Sequence, residues 1–385
     1  MKIGLIGAGR LGLCLALLIN ESGYEVLASD VRENYVNDLQ NKKFGTVEPG
    51  VQEFLENSRN IDFTTDNNKV IEECDLIFTL VQTPSYEDGS YNVEAVHEVV
   101  MDFVDAKDIS GKSLVIGCTT NPGDCDKFQR ALSNRGVDVY YNPEFIAQGS
   151  IIKDLRHADM VLIGGNGHHA KVLEDIYEKI QDGFKEPSIH FMSTKAAELT
   201  KIAVNCFLTT KISYANQVGQ VMVKDGMDHE VSNVLNAIGS DSRIGNKYLN
   251  FGFGFGGPCF PRDNRAFAAY SKDLGIEFNI GETTDNFNDA HSKFLVEYFC
   301  DKNVEKLPFY FDHIAYKKGT DILTESQQLK LCCDLLELDY IVYVKLEGLL
   351  AIDKVYDIID DSYREKLIFV DDWNSIHEHV FSIEF

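Results

Sequence analysis

The sequence predicts an α/β architecture: an N-terminal open parallel sheet, a long central helix and a smaller C-terminal α/β domain. Three observations lead there. Short apolar runs of strand length, closed by small or polar residues, recur through the first half with helical stretches between them. From Ser193 one helical pattern runs without a break to Gly226. Beyond residue 300, strand and helix patterns alternate again. The expected divisions are residues 1–192, 193–300 and 301–385.

A chain of 385 residues with 44% hydrophobic and 25% charged content has the balance of a globular protein with a sizeable core. A formal net charge of -25 argues against nucleic acid or an anionic membrane as partner. Local lysines, arginines and helix N-termini can still hold a small anion. The nine cysteines show no CxxC pair and no disulfide-like spacing, so free thiols in a reducing, cytoplasmic compartment are expected. The first residues lack the apolar stretch of a signal peptide, and no run of about 18 apolar residues predicts a membrane span.

Lys2–Ile6 reads as a buried strand, Gly7-Ala8-Gly9-Arg10-Leu11-Gly12 as a turn, Leu13–Asn20 as a helix and Tyr24–Ser29 as a second strand ending at Asp30. Strand, G-x-G-x-x-G, helix, strand and acid is the pattern of a Rossmann-type dinucleotide site. Gly7, Gly9 and Gly12 allow a tight turn, approach of a pyrophosphate and close helix packing, with Leu11 inside the turn. Asp30 can accept a ribose 2′-OH and so favours NAD; Arg32 is the group that would suit a 2′-phosphate instead.

Further strands are expected at Asp75–Val81, Ser113–Gly117, Val137–Tyr141 and Val161–Gly165. Thr83 and Thr119 follow two of them, where an open parallel sheet binds ligands and where helix caps also occur. Glu144 follows the third, placed for acid/base work or simply for a surface loop. His168 and His169 lack a third ligand at zinc spacing, so no metal is expected.

On the long helix, Leu199, Ile202, Ala203, Cys206 and Phe207 are expected to form one core face. Lys201 and Asn205 stand at i, i+4, a cation beside an amide donor, which suits an oxyanion as well as a solvated face. Asp241–Tyr248 places basic and aromatic side chains ahead of FGFGFGGPCFPRDN, residues 251–264. There four glycines frame Cys259, with Arg262 and Asp263 behind it, as a nucleophilic thiol requires or as a glycine turn around an inert cysteine would look.

Taken together, GAGRLG, NPEFIAQGSIIKDL, Lys201-x-x-x-Asn205, RIGNKYL and GFGGPCFPRD resemble the UDP-glucose/GDP-mannose dehydrogenase family in the family's own order. The resemblance implies oxidation of a C6 alcohol to a carboxylate by two NAD and one water, with Cys259 as nucleophile. Lys201 and Asn205 would steady the oxyanion; Asp263, Glu144 and Thr119 would activate water. Substrate contacts would come from Glu144, Phe145, Ile146, Lys201, Asn205, Tyr248, Gly256 and Lys317, and from Arg243 across a homodimer interface. RIGNKYL resembles the UDP-glucose branch, so UDP-glucose is the implied substrate. Another nucleotide sugar, or a silent nucleotide-sugar or NAD binder, is the alternative.

Several positions depart from the family pattern. Arg10-Leu11 stands where Tyr-Val is usual, Gln148 where Glu is frequent, and Tyr35 where a basic residue often follows the ribose acid. In the C-terminal domain, strands are expected at Leu307–Ile314, Tyr340–Val344 and Leu367–Val370 and a helix at Thr324–Leu336. His313 takes the place of a usual Gly and Thr324 that of an Arg. After Trp373 no final strand is recognisable, so this nucleotide-sugar-binding domain is expected to be shortened.

Overall fold

A computed structural model describes residues 1–46, 48–181, 188–346 and 350–385. The chain divides into two compact units, Met1–Lys201 and Ile202–Phe385, and the division falls within the helix Thr194–Lys224.

Among the described residues, the first unit is built on eight strands: β1 Lys2–Ile6, β2 Glu25–Ser29, β3 Ile61–Thr64, β4 Leu76–Thr79, β5 Ser113–Ile116, β6 Asp138–Tyr141, β7 Met160–Gly164 and β8 Ser188–Met192. Their order is β3-β2-β1-β4-β5-β6-β7-β8. All neighbours are parallel except β6 and β7, which meet antiparallel at Tyr141 and Gly164. Both faces are covered. One core gathers Leu15, Leu18, Val26, Phe78 and Tyr177; the other gathers Ile77, Val99, Phe103, Leu114 and Phe128. Strands buried on both sides lose the alternation of a half-exposed strand, which is why β4 (LIFT) and β5 (SLVI) read as plain apolar runs.

Strand order reverses between β1 and β4, since β2 and β3 lie to one side of β1 and the later strands to the other. A crevice opens at the carboxyl ends of strands at such a point. Strands β3 and β8 were not expected from sequence. Both are edge strands with partly exposed residues, so neither carries a strong apolar signal.

The second unit contains the rest of the long helix, the helices Val231–Gly239, Phe260–Asp273 and Ile280–Lys302, and a small parallel sheet. Its strands are β9 Phe309–Phe311, β10 Val342–Lys345, β11 Leu367–Val370 and β12 Phe381–Ser382, in the order β11-β10-β9-β12. The expectation that no final strand follows Trp373 is corrected by β12, which pairs parallel with β9 through Phe381–Phe309 and Ser382–Tyr310. Two residues are too few to give a periodicity, but Phe385 anchors the segment. Its ring lies 5.5, 5.0 and 5.3 Å from those of Phe251, Phe253 and Phe299.

The expected core face of the long helix is also corrected in part. Ile202 and Cys206 are buried, whereas Leu199 and Phe207 are exposed. Apolar residues crowd residues 202–208 on every side of the helix, so composition alone does not single out a face.

Candidate active site

The glycine turn is shaped by three different constraints. Gly7 has φ +95, and a Cβ there would stand 2.8 Å from the Leu80 carbonyl oxygen. At Gly12 a Cβ would stand 2.1 Å from the Gly7 carbonyl oxygen, so the helix Arg10–Glu21 approaches the turn only without a side chain. A Cβ at Gly9 would meet nothing within 4 Å. Internal packing explains Gly7 and Gly12; open space at Gly9 fits a ligand that comes close to the backbone. The helix starts at Arg10 with no acid in its first turn, leaving its positive end to a phosphate.

A cleft of about 790 Å³ lies here, lined by Gly7, Gly9, Arg10, Asp30, Arg32 and Val81 among others. Asp30, at the end of β2, is gripped by Arg32 through bonds of 2.8 and 2.9 Å. Burial works to raise its pKa, but the hydrogen bonds and charge of Arg32 outweigh burial and hold the carboxyl below its usual value. Arg32 also lies 4.0 Å from the Tyr35 ring, whose hydroxyl donates to the Ala8 carbonyl at 2.7 Å. Turn, acid and arginine are thus one framework, and its donors and acceptors suit a dinucleotide with a free ribose 2′-OH. Leu11 packs half-buried on the core behind the turn. Thr83 is buried and Thr119 half-buried in the segments after β4 and β5.

Glu144 follows β6. Burial pushes its pKa up to about 7, against the opposing hydrogen bond from Tyr177 and charge of Lys201. The buried Tyr177 hydroxyl lies against Glu144 Oε1 and 2.7 Å from Asn142 Oδ1. Lys201 Nζ donates to the Glu144 carbonyl oxygen at 2.7 Å and lies 4.5 Å from the Phe145 ring centre. Three of the predicted residues, Glu144, Phe145 and Lys201, therefore form one cluster, and Ile146 packs half-buried beside it. Tyr177 was missed, because from sequence it is one more apolar-face residue of the helix Ala170–Ile180. Glu198 was missed because a charged residue on a helix reads as solvent-facing. Fully buried, it accepts from Thr120 Oγ1 at 2.8 Å and from the Gly123 and Cys125 N–H groups, capping the helix Asp124–Leu132.

Within the second unit, Cys259 is the N-cap of the helix Phe260–Asp273. It is the exposed member of the nine free cysteines. Burial drives Cys14, Cys74, Cys118 and Cys206 up to about 12, which keeps those thiols inert. As N-cap, Cys259 stands at the positive end of the helix dipole. Asp263 N–H donates to the Cys259 carbonyl at 2.9 Å, so the carboxylate stands one turn behind the thiol. Its Oδ2 accepts from Asn205 at 2.6 Å, both side chains being buried. Asn205 follows Lys201 by one turn of the same helix.

The glycines ahead of Cys259 are required by close packing. A Cβ at Gly256 would stand 2.2 Å from the Glu325 carbonyl oxygen, and one at Gly257 would stand 2.6 Å from the Tyr316 ring. Gly257 N–H donates to the Thr324 carbonyl at 3.1 Å, which ties the cysteine loop to the segment carrying Lys317. Lys317 is exposed. Tyr248 is exposed, holds φ 62, and stands edge-on to Phe260, the residue after Cys259. A tyrosine in that backbone region is under strain, a feature that concentrates at functional sites. Arg243 projects into solvent, paired with Asp241 at 2.7 Å.

Residues 1–181 match the NAD binding domain of the UDP-glucose/GDP-mannose dehydrogenase family, and residues 195–290 match its central domain. UDP-glucose 6-dehydrogenase TuaD of Bacillus subtilis is 32% identical over 77% of this chain and 64% of its own length. The structure of a UDP-glucose dehydrogenase from Pyrobaculum islandicum superposes with a TM-score of 0.83 at 28% identity, covering 96% of this chain and 86% of that one. That of a UDP-D-ManNAc dehydrogenase from Pyrococcus horikoshii, at 21% identity and TM-score 0.77, covers 100% of this chain and 99% of its own and shares the fold. The chain, with an NAD binding domain and a central domain matched in order, belongs to the UDP-glucose/GDP-mannose dehydrogenase family of nucleotide-sugar dehydrogenases.

Proposed function

We propose that this chain oxidises UDP-glucose to UDP-glucuronate through a thiohemiacetal and then a thioester on Cys259. The observation that carries the reading is the thiol itself. Cys259 is exposed at a helix N-terminus, one turn ahead of the buried Asp263 that Asn205 holds.

NAD, when bound, accepts the hydride, two equivalents for each sugar. The chain's own residues do the rest. The C6 alcohol gives up a hydride and its hydroxyl proton to become the aldehyde, and the Cys259 thiolate adds to that aldehyde, forming a C–S bond and an alkoxide that takes up a proton. Loss of a hydride and of the hydroxyl proton from that thiohemiacetal leaves a thioester. Water then adds to the carbonyl, gives up its protons, and the C–S bond breaks to release the carboxylate and the thiolate. Lys201 and Asn205 supply charge and an amide donor for the oxyanions of these steps. Glu144, with a pKa pushed up to about 7, and Asp263 and Thr119 are suited to take protons from the water. A covalent hold lets both oxidations occur without release of the aldehyde.

The RIGNKYL segment supports UDP-glucose, and so does the likeness to named UDP-glucose 6-dehydrogenases. A second reading is another nucleotide sugar, of the GDP-mannose or UDP-N-acetylhexosamine type. It is left open by Thr324, whose side chain stands where the family pattern has Arg, in a segment bonded through its backbone to Gly257 of the cysteine loop. Lys317, Tyr248 and Gly256 are assigned to the nucleotide sugar, and Arg243 to the partner's site in a homodimer. Phe207, Tyr214 and Val221, seven residues apart on the long helix, support the dimer, being 65%, 53% and 59% exposed in the single chain. The nine free cysteines support a cytoplasmic location, and no described helix is long and apolar enough to cross a membrane. The test is a nucleotide-sugar panel followed by NADH release. Two NADH per UDP-glucose are expected; none with any nucleotide sugar overturns the reading, and two with a different sugar moves it to the second.

A further inference from the structure

In the first unit one hydroxyl stands between two acceptors. The buried Tyr177 hydroxyl lies against Glu144 Oε1 and 2.7 Å from Asn142 Oδ1. The other end of the Asn142 amide fixes which atom faces the tyrosine. Its Nδ2 donates to the Leu162 carbonyl of β7 at 2.9 Å, so the side turned to Tyr177 is an oxygen, which only accepts. Asn142 is itself buried, and its N–H donates to the Ile116 carbonyl of β5 at 2.9 Å. Lys201 holds the Glu144 backbone through its carbonyl at 2.7 Å. Burial and the neighbouring Glu144 hold the Tyr177 phenol well above its usual range, so the hydroxyl keeps its proton.

That hydroxyl has a single proton to donate. With Glu144 protonated, the carboxyl O–H donates to Tyr177 and the Tyr177 O–H donates to Asn142, and both bonds are made. With Glu144 ionised, the Tyr177 O–H turns to the carboxylate and leaves the Asn142 oxygen as a buried acceptor without its donor, which is costly. We propose that Asn142 and Tyr177 are positioning residues for the base: the hydroxyl is a two-position switch, and the amide oxygen draws it off Glu144 whenever the carboxyl takes up a proton. A water that gives its proton to Glu144 thereby restores the second bond. The proton stays on the carboxyl, the hydroxyl only rotates, and no charge reaches the tyrosine. Asn142 thus favours proton uptake at Glu144 while acting through Tyr177. The titratable groups facing Glu144 are Tyr177, from the helix Ala170–Ile180, and Lys201, from the long helix, and both oppose the upward push of burial on the carboxyl.

The inference rests on Glu144 serving as the base, and its test reads the switch without cofactor or sugar. The C=O stretch of protonated Glu144 is isolated as the infrared difference between wild type and Glu144→Gln, and its loss is followed as pH rises through about 7. Asn142→Leu, which removes the amide oxygen, is expected to lower that midpoint by about one pH unit. Tyr177→Phe, which removes the donor to the carboxylate, should raise it by about as much. Added to Tyr177→Phe, Asn142→Leu should change nothing further, because the amide acts through the hydroxyl. A midpoint that ignores Asn142→Leu, or that shifts by the same amount with Phe at 177, overturns the proposal. Should Asn142→Leu not fold, Tyr177→Phe decides: its carboxyl O–H loses an acceptor, so the C=O band should move to higher frequency, and an unmoved band overturns the proposal. The low-pH limb of kcat should follow the infrared midpoints. A limb that ignores them while the midpoints shift as expected would remove Glu144 as the base and uphold the switch.

Discussion

Asn205 Nδ2 donates to Asp263 Oδ2 at 2.6 Å, and neither side chain reaches solvent. A buried carboxylate depends on its donors, so Asn205→Ala is expected to cost about 1–3 kcal/mol of stability. Thermal unfolding should show the loss as a lower Tm, with kcat falling as well. Asn205→Asp, which sets a second carboxylate against the first, should cost more. A wild-type Tm in Asn205→Ala would mean that Asp263 is satisfied without this bond.

Cys259 carries the covalent chemistry in the proposed mechanism, so its replacement should separate the two oxidations. Cys259→Ser is expected to bind NADH normally, since the cofactor cleft is built from other residues. Acid formation should fall below detection, because serine is a far weaker nucleophile near neutral pH. With Asp263→Asn, where thiol and cleft are kept but water activation is weakened, intact-protein mass spectrometry should show a sugar adduct on Cys259. Full acid production by Cys259→Ser would exclude the thioester.

Glu144 gives a pH signature. Burial raises its folded-state pKa to about 7 from a reference of 4.5. A group raised on folding holds its proton more tightly in the folded chain. Its contribution to stability is therefore full below about 4.5 and is lost as pH rises through about 7. Glu144→Gln keeps the neutral form at every pH. Relative to wild type it should gain up to about 3 kcal/mol above neutrality and little at pH 4. Activity should move the opposite way: as a base, Glu144 works when ionised, so wild-type kcat should rise through the same window and that limb should vanish in Glu144→Gln. Unfolding curves of the two proteins that differ by a constant amount from pH 4 to pH 9 would contradict the raised pKa.

These sites differ in how far they could be read from sequence. The glycine turn, Asp30 and most strands of the first unit were legible because their causes are local: a turn, a short buried run, an acid at a strand end. Cys259 was legible as a thiol among glycines, but its exposure at a helix start, which supports the reactive reading over the inert one, was not. Tyr177 and Glu198 were not legible. Tyr177 reads as one more core-face residue and Glu198 as a solvated charge, and each acts on a group brought close by the sheet, 33 and 73 to 78 residues away. Strand β12 escaped notice because pairing with β9, more than any apolar pattern of its own, defines it. Phe207 was misread because a helix with apolar residues on several sides has more than one surface to cover.

The turn glycines allow packing and ligand binding to be separated. Gly12→Ala forces a methyl to within 2.1 Å of the Gly7 carbonyl, a contact that only movement of the helix can relieve. A clear drop in Tm is expected, together with loss of NADH binding. Gly9→Ala places its methyl in open space, so Tm should stay within about 1 kcal/mol of wild type while NADH affinity falls. Equal destabilisation by both would mean that Gly9 is also held by internal packing.

Phe207, Tyr214 and Val221 test the proposed homodimer most directly. A stripe repeating every seven residues stays on one side of a helix over several turns, and burying three such side chains is worth several kcal/mol at about 1.5–3 kcal/mol each. In a chain of net charge -25, that apolar stripe is also where two like-charged copies can approach with least repulsion. Sedimentation of wild type should therefore give about twice the 43.3 kDa chain mass. Phe207→Glu should shift the protein toward monomer, because one charge in a symmetric contact is buried twice, once from each copy. NADH binding should survive, since the glycine turn lies within one chain. If Arg243 serves the partner's site, turnover should fall with dissociation and recover as protein concentration drives the variant back to dimer. A wild-type monomer at micromolar concentration, or a monomeric Phe207→Glu with undiminished turnover, would place the whole active site within a single chain.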